Sequence, residues 1–181
     1  CSELAHWGRV YEAGELRMSD QTAIVTGAGI GLGHATAVAL ADAGYHVIVT
    51  DILDQEGAQV VAEISAKSQS AEYCRLDVTD TGAVNQLLAD INSRFTRIDA
   101  LVLNAGIART LPLLSLEDAQ WDETMDVNLK GMMRVFRAAL PGLQQAENPA
   151  ARNPKSTTQT SAASRSPASR STQFPYQNIA S

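Results

Sequence analysis

The sequence predicts an α/β fold, a doubly wound parallel sheet with helices on both faces. Three observations carry this. Short β-branched apolar runs alternate with longer helical stretches from residue 21 to about residue 140. A glycine cluster, Gly27-Ala28-Gly29-Ile30-Gly31-Leu32-Gly33, stands between the first run and the first helical stretch. An acid, Asp51, closes the second run. Such alternation puts helices over a parallel sheet, and right-handed crossovers give four strands the order 3-2-1-4.

The elements follow in order. Thr22–Thr26 reads as the first strand. Residues 33–43, rich in Ala, read as a helix that Gly44 stops. Residues 45–50 form the second strand, and Asp54 is placed to cap a helix running to about residue 65. Residues 73–77 are a third, weaker strand. Asp80 caps a helix in which Val84, Leu87, Leu88, Ile91 and Phe95 share one face. Residues 98–103 are the fourth and most apolar strand. Ser115, with Asp118 three residues on, resembles a capping box. The helix behind it sets Met125, Leu129, Met132, Met133, Phe136 and Leu140 on one stripe, and Pro141-Gly142 is expected to end it.

Composition bounds the rest. The 181 residues are 45% apolar, enough for one domain with a core, and carry a formal net charge of −6. All 20 acidic residues lie at or before Glu147; only Arg152, Lys155, Arg165 and Arg170 carry charge after it. An acidic body excludes nucleic acid as the main partner, because phosphate binding needs clustered Lys and Arg. Residues 149–181 hold seven Ser and four Thr but only Phe174, Tyr176 and Ile179 as sizeable apolar groups, so this stretch is expected to be disordered. Met18 opens a stretch that reads like a natural start, which makes residues 1–17 an expected upstream extension. The division is therefore extension 1–17, nucleotide-binding domain 18–146 and Ser/Thr-rich tail 147–181. No run approaches the roughly 18 apolar residues of a membrane span, and no secretory signal is visible. Cys1 and Cys74 lack metal-type spacing, and Cys74 reads as a small buried strand residue. No metal site and a cytoplasmic location are the expectations.

The glycine cluster is where chemistry enters. It lies between a strand and a helix, the setting in which glycines allow a tight turn and close backbone approach to a pyrophosphate. The helix start behind it offers free N–H groups and the positive end of a dipole. The spacing is G-x-x-x-G-x-G, through Gly27, Gly31 and Gly33, rather than G-x-G-x-x-G. Asp51 follows 24 residues after Gly27, where a carboxylate accepts hydrogen bonds from a ribose diol and repels a 2′-phosphate. NAD is thus favoured over NADP. His34, just past the last glycine, reads as a helix-surface residue, and His6 and His46 as incidental.

Four segments together resemble the short-chain dehydrogenase/reductase family: TGAGIGLG at 26–33 with Asp51 after the second strand, LDVTD at 76–80, LNAG at 103–106, and Asn128 within MDVNLKG at 125–131. The resemblance covers about residues 20–145 and implies a Rossmann-type fold and hydride transfer between NAD and a small-molecule alcohol or carbonyl compound. It assigns the pyrophosphate turn to Gly27, Gly31 and Gly33, with Gly29, Ile30 and Leu32 between them, and the adenine ribose to Asp51. It sets Asp77 and Val78 beside the adenine ring, and Asn104, Ala105 and Gly106 at the central sheet and the nicotinamide-side ribose. Asn128 is the helix member of a catalytic tetrad that holds a water in a proton relay. The family usually carries a second Asn where Leu103 stands. Its members are usually homodimers or homotetramers.

The same resemblance asks for a Ser at the end of a fifth strand and a Tyr followed four residues later by Lys, the phenol acting as acid or base with the cation tuning it. The tyrosines are Tyr11, Tyr45, Tyr73 and Tyr176, and none has Lys four positions on. The expectation is a sheet truncated after about four strands, an apolar fourth strand left at the edge, a last helix whose stripe lacks a partner, and an inactive chain, with a non-catalytic NAD-binding module or a non-functional truncated gene product as the alternatives. A frameshift, an unspliced segment or a wrongly joined gene model beginning near residues 147–152 is the expected origin.

Overall fold

The computed structural model describes residues 21–110 and 112–146. The expected extension 1–17 and tail 147–181 lie outside the described residues.

The sheet is parallel and four-stranded, in the order β3-β2-β1-β4, as the alternation predicts. Strand β1 (Thr22–Thr26) is buried along its whole length, as is β2 (His46–Asp51). Both are near-continuous apolar runs because parallel strands are covered on both faces. The third strand, β3, is Ala71–Arg75, and the fourth, β4, is Ala100–Leu103 at the edge.

Helices α1 (Gly31–Asp42) and α2 (Asp54–Ala66) cover one face. There Val25, Val47 and Val49 pack with Ala37, Ala41, Val60 and Ile64. Helices α3 (Thr81–Arg94), α4 (Asp118–Met125) and α5 (Met132–Ala146) follow in the chain. The opposite core joins Ile24 and Ile48 to Val84, Leu87, Leu88 and Ile91 of α3 and to Val135 and Ala139 of α5. Each large aliphatic side chain buried there contributes ~1.5–3 kcal/mol. Cys74 is buried in this core, as its strand setting implies.

Several boundaries differ from the sequence reading. The first helix begins two residues early, because Gly31 takes φ +60° and starts the turn itself; Gly44, at φ +93°, ends it as expected. Asp80 caps α3 by accepting the Ala83 N–H at 3.0 Å, also as expected. Asp54, in contrast, is the first helical residue and not the cap. Its carboxylate is drawn instead to Tyr73 and Arg75 on β3. That strand ends at Arg75 because Leu76 and Val78 turn inward to the core, and the Asp77 carboxylate accepts the Thr79 N–H at 2.8 Å. β4 starts late because the Ile98 N–H goes to the Gly142 carbonyl at 3.1 Å rather than to a strand.

The region from 115 to 146 departs most. The capping box belongs to Glu117 and Gln120, not Ser115, which closes a 3₁₀ turn, Leu113–Ser115. The helix behind it is interrupted by a π-helical turn, Asp126–Gly131. Pro141-Gly142 does not end α5, which runs through both residues to Ala146. Glycine at 142 lets the helix touch Ile98 and Asn92 so closely that a Cβ would overlap both side chains. The buried stripe of α5 is Val135, Ala139 and Gly142, whereas Leu129, Met132, Met133, Phe136 and Leu140 are exposed.

His46 is not incidental. It is buried at the start of β2, stacks on Phe95 with centroids 5.0 Å apart, and shares a 2.6 Å hydrogen bond through Nδ1 with Ser70. Burial holds its imidazole below the ordinary value, with Glu72 opposing and Arg94 reinforcing that shift. The unfolded chain therefore takes up the proton first as pH falls past about 6.5. Stability is expected to be full above that pH and to decline below it. Thermal melts between pH 7.5 and 5.5 check this, and His46→Gln should flatten the slope.

Candidate dinucleotide site

The C-terminal ends of the strands meet at one edge, where ligands of open α/β sheets bind. Sequence supplies this edge with a glycine loop after β1, an acid after β2, the 76–80 loop after β3 and the 103–107 loop after β4.

The glycine loop is shaped by two constraints. Gly27 and Gly31 take φ of +63° and +60°, where a Cβ is strained. Gly33 sits so close to the Gly27 carbonyl and the Asn104 side chain that a Cβ would collide with both. Ile30 forms the N-cap of α1 with no side-chain hydrogen bond, and Ile30 and Leu32 both face outward. The first-turn amides are thus left with no side-chain cap to accept from them, an arrangement that suits an anion.

Asp51 is buried, at 7% exposure, and its carboxylate is anchored from two sides. Oδ2 accepts the Gly29 N–H at 2.7 Å and Oδ1 the Leu53 N–H at 3.1 Å. Each oxygen keeps a further lone pair for a donor. Asn104 closes the opposite wall. Its Nδ2 donates to the carbonyls of Thr26 and Gly27 at 3.1 and 2.9 Å, while the Thr26 hydroxyl oxygen accepts the N–H groups of Asn104 and Ala105.

Asn128 lies in the π-helical turn and makes a reciprocal pair with the backbone of Ile107. Its Oδ1 accepts the Ile107 N–H and its Nδ2 donates to the Ile107 carbonyl, both at 2.8 Å. Gly106 lies beneath it, where a Cβ would come within 3.2 Å of that Oδ1. The turn itself is braced by Arg134, which donates to the Asp126 carboxylate at 2.8 Å and to its carbonyl at 3.2 Å. The guanidinium holds the Asp126 carboxyl below its usual value.

These loops enclose a cavity of about 380 Å³, within the size range of small-molecule sites. Gly27, Asp51, Asp77, Val78 and Ala105, all singled out in the sequence, line it. Ile52, Leu76 and Thr79 line it too, as do Ile107, Glu123, Asp126 and Val127. Glu123 and Asp126 escaped sequence reading because their placement depends on the π-helical turn. One oxygen of Asp77 is taken up by the Thr79 N–H and hydroxyl, at 2.8 and 2.7 Å. Glu123 is also ion-paired with Arg109. His34 is turned from the glycine loop to Glu63, at 2.7 Å. No group of His, Cys, Asp and Glu among the described residues is arranged to hold a metal. No helix among them is long and apolar enough to cross a membrane.

Residues 21–152 match the short chain dehydrogenase family. The chain belongs to this family. It is 37% identical over 122 residues to the 3-oxoacyl-(acyl-carrier-protein) reductase FabG of Staphylococcus aureus, covering 67% of this chain and 50% of that one. The chain spans about half the length of the curated relatives it matches. Among solved structures it resembles a metagenomic short-chain oxidoreductase in complex with NADP, with TM-score 0.65 and 33% identity over 69% of this chain and 57% of that one. It also resembles a hydroxysteroid dehydrogenase from Escherichia coli, with TM-score 0.64 and 31% identity over 70% and 54%. The α/β Rossmann-like fold and oxidoreductase ancestry read from the sequence both stand.

The glycines make a sharp comparison. Gly33→Ala is expected to cost ~2 kcal/mol or more through overlap with fixed backbone, and Gly31→Ala about 1–2 kcal/mol, because it meets nothing within 4 Å and pays only for its φ. Paired thermal melts check the order.

Proposed function

We propose that residues 18–146 are the NAD-binding domain of an oxidoreductase that moves a hydride between the nicotinamide and a small-molecule alcohol or carbonyl substrate. The observation that carries this is the buried Asp51 carboxylate, held by the Gly29 N–H beside the glycine loop. A carboxylate there accepts from a ribose diol and opposes a 2′-phosphate, which favours NAD over NADP. The relative complexed with NADP makes the phosphorylated cofactor the competing choice.

The cavity and the glycine loop fit such a cofactor. Backbone amides at 31–33 would face the pyrophosphate, with Gly27 and Gly29 beside it and Ile30 and Leu32 at its outer rim. Leu76, Asp77 and Val78 would flank the adenine, with the remaining oxygen of Asp77 toward its amino group. Asn104, Ala105 and Gly106 would border the nicotinamide-side ribose. The cofactor, when bound, supplies the hydride chemistry. Asn128 would hold a water for proton transfer through its π-helical turn. Of the family's tetrad, Asn128 has a counterpart among the described residues, and no Tyr-x-x-x-Lys occurs in the 181 residues. The reading is therefore binding by this chain without turnover.

The test is NADH fluorescence titration of the full chain, with an NADH-oxidation assay on 3-oxoacyl and other carbonyl substrates. Saturable binding that Asp51→Ala weakens by about tenfold or more, without oxidation, is the expected result. Absent binding overturns the reading, and turnover overturns its non-catalytic part.

A further inference from the structure

The turn that follows β2 is held from the neighbouring strand by two side chains with no part in the family resemblance. Tyr73 lies on β3, its ring so close over α2 that a Cβ at Gly57 would overlap it. Its hydroxyl is 2.9 Å from both the Asp51 carbonyl and the Asp54 carboxylate, two acceptors that share its one proton. Burial and the Asp54 charge push the phenol well above its ordinary value, so it stays a donor at every ordinary pH. Arg75, paired with Asp51 in the sheet register, reaches over the same turn. It donates to the Ile52 carbonyl at 2.6 Å and the Asp54 carboxylate at 2.8 Å.

Both side chains therefore grip the turn at residues 51, 52 and 54. Asp51 has its carboxylate fixed by Gly29 and Leu53 and its carbonyl fixed by Tyr73 and the Leu76 N–H. Tilting the carboxylate away from the cavity would break its bond to the Gly29 or the Leu53 N–H. The ion pair is solvent-exposed and by itself worth little. Its backbone contact and the half-buried phenol carry the restraint.

We propose that Tyr73 and Arg75 are positioning residues that present the Asp51 carboxylate to the adenine-side ribose diol. This rests on the reading of the cavity as a nucleotide site. A loosened turn lets Asp51 tilt, so discrimination at the ribose falls while contacts to phosphate and base survive. A merely structural role predicts uniform weakening of every nucleotide, or none.

The experiment is calorimetric titration of the full chain with ADP and 2′-deoxy-ADP. The wild-type chain is expected to prefer ADP by ~10-fold, the worth of one hydrogen bond to a charged acceptor. Tyr73→Phe should cut that preference at least about threefold while 2′-deoxy-ADP binds within about twofold of wild type. In an Asp51→Ala background Tyr73→Phe should have no further effect on the ratio. Arg75→Gln, at an exposed side chain that leaves the core untouched, should lower the ratio in the same direction. Hydrogen exchange at the Leu53 amide should quicken in both variants. An unchanged ratio, or equal loss for both nucleotides, overturns the proposal alone. Failure of the wild-type chain to bind ADP overturns the nucleotide reading and this proposal with it.

Discussion

A buried carboxylate on a strand end holds the functional edge of this molecule together. Asp51 is 7% exposed and anionic groups are costly to bury unpaired. It is satisfied by two backbone donors, from the glycine loop and from the turn before α2. The strand order makes this possible. With β2 beside β1, the residue closing β2 meets the loop that leaves β1. One side chain thereby fixes two loops and aims spare acceptor capacity into the cavity between them.

A second tie acts on the other side of β1. Asn104 donates two hydrogen bonds to Thr26 across the β1–β4 pair, one from its N–H to the hydroxyl oxygen and one from Nδ2 to the carbonyl, and its Nδ2 also holds the Gly27 carbonyl. The glycine loop is thus pinned by Asp51 from one neighbour and by Asn104 from the other. Asn128 then pins the loop after β4 through Ile107. The result is a set of loops held by side-chain-to-backbone bonds as well as by packing, the kind of rigid shell a binding site needs.

Local signals account for what could be read beforehand. The glycine spacing, the acid after β2 and the apolar face of α3 are short-range patterns, and each element they name is present. The buried stripe of α5 was misread because both its faces carry apolar residues. Composition favoured the larger Met, Leu and Phe side chains, while the core took Val135, Ala139 and Gly142. Pro141 looked like a stop because its tolerance depends on Gly142 reaching Ile98, a contact more than forty residues away in sequence. Asp54 looked like a cap because the claims of Tyr73 and Arg75 on it come from another strand. The π-helical turn, which brings Glu123 and Asp126 to the cavity, has no local pattern that sets it apart from ordinary helix.

The differences in α5 and the π-helical turn lie in the helices after β4, and the one at Asp54 lies in the turn after β2. In the proposed function Asp51 reads an unphosphorylated ribose. The most direct measurement is the ratio of NADH to NADPH affinity for the full chain by fluorescence titration. The account predicts at least about tenfold tighter binding of NADH, the cost of setting a phosphate dianion against a fixed carboxylate. Equal affinity, or a preference for NADPH, would contradict it.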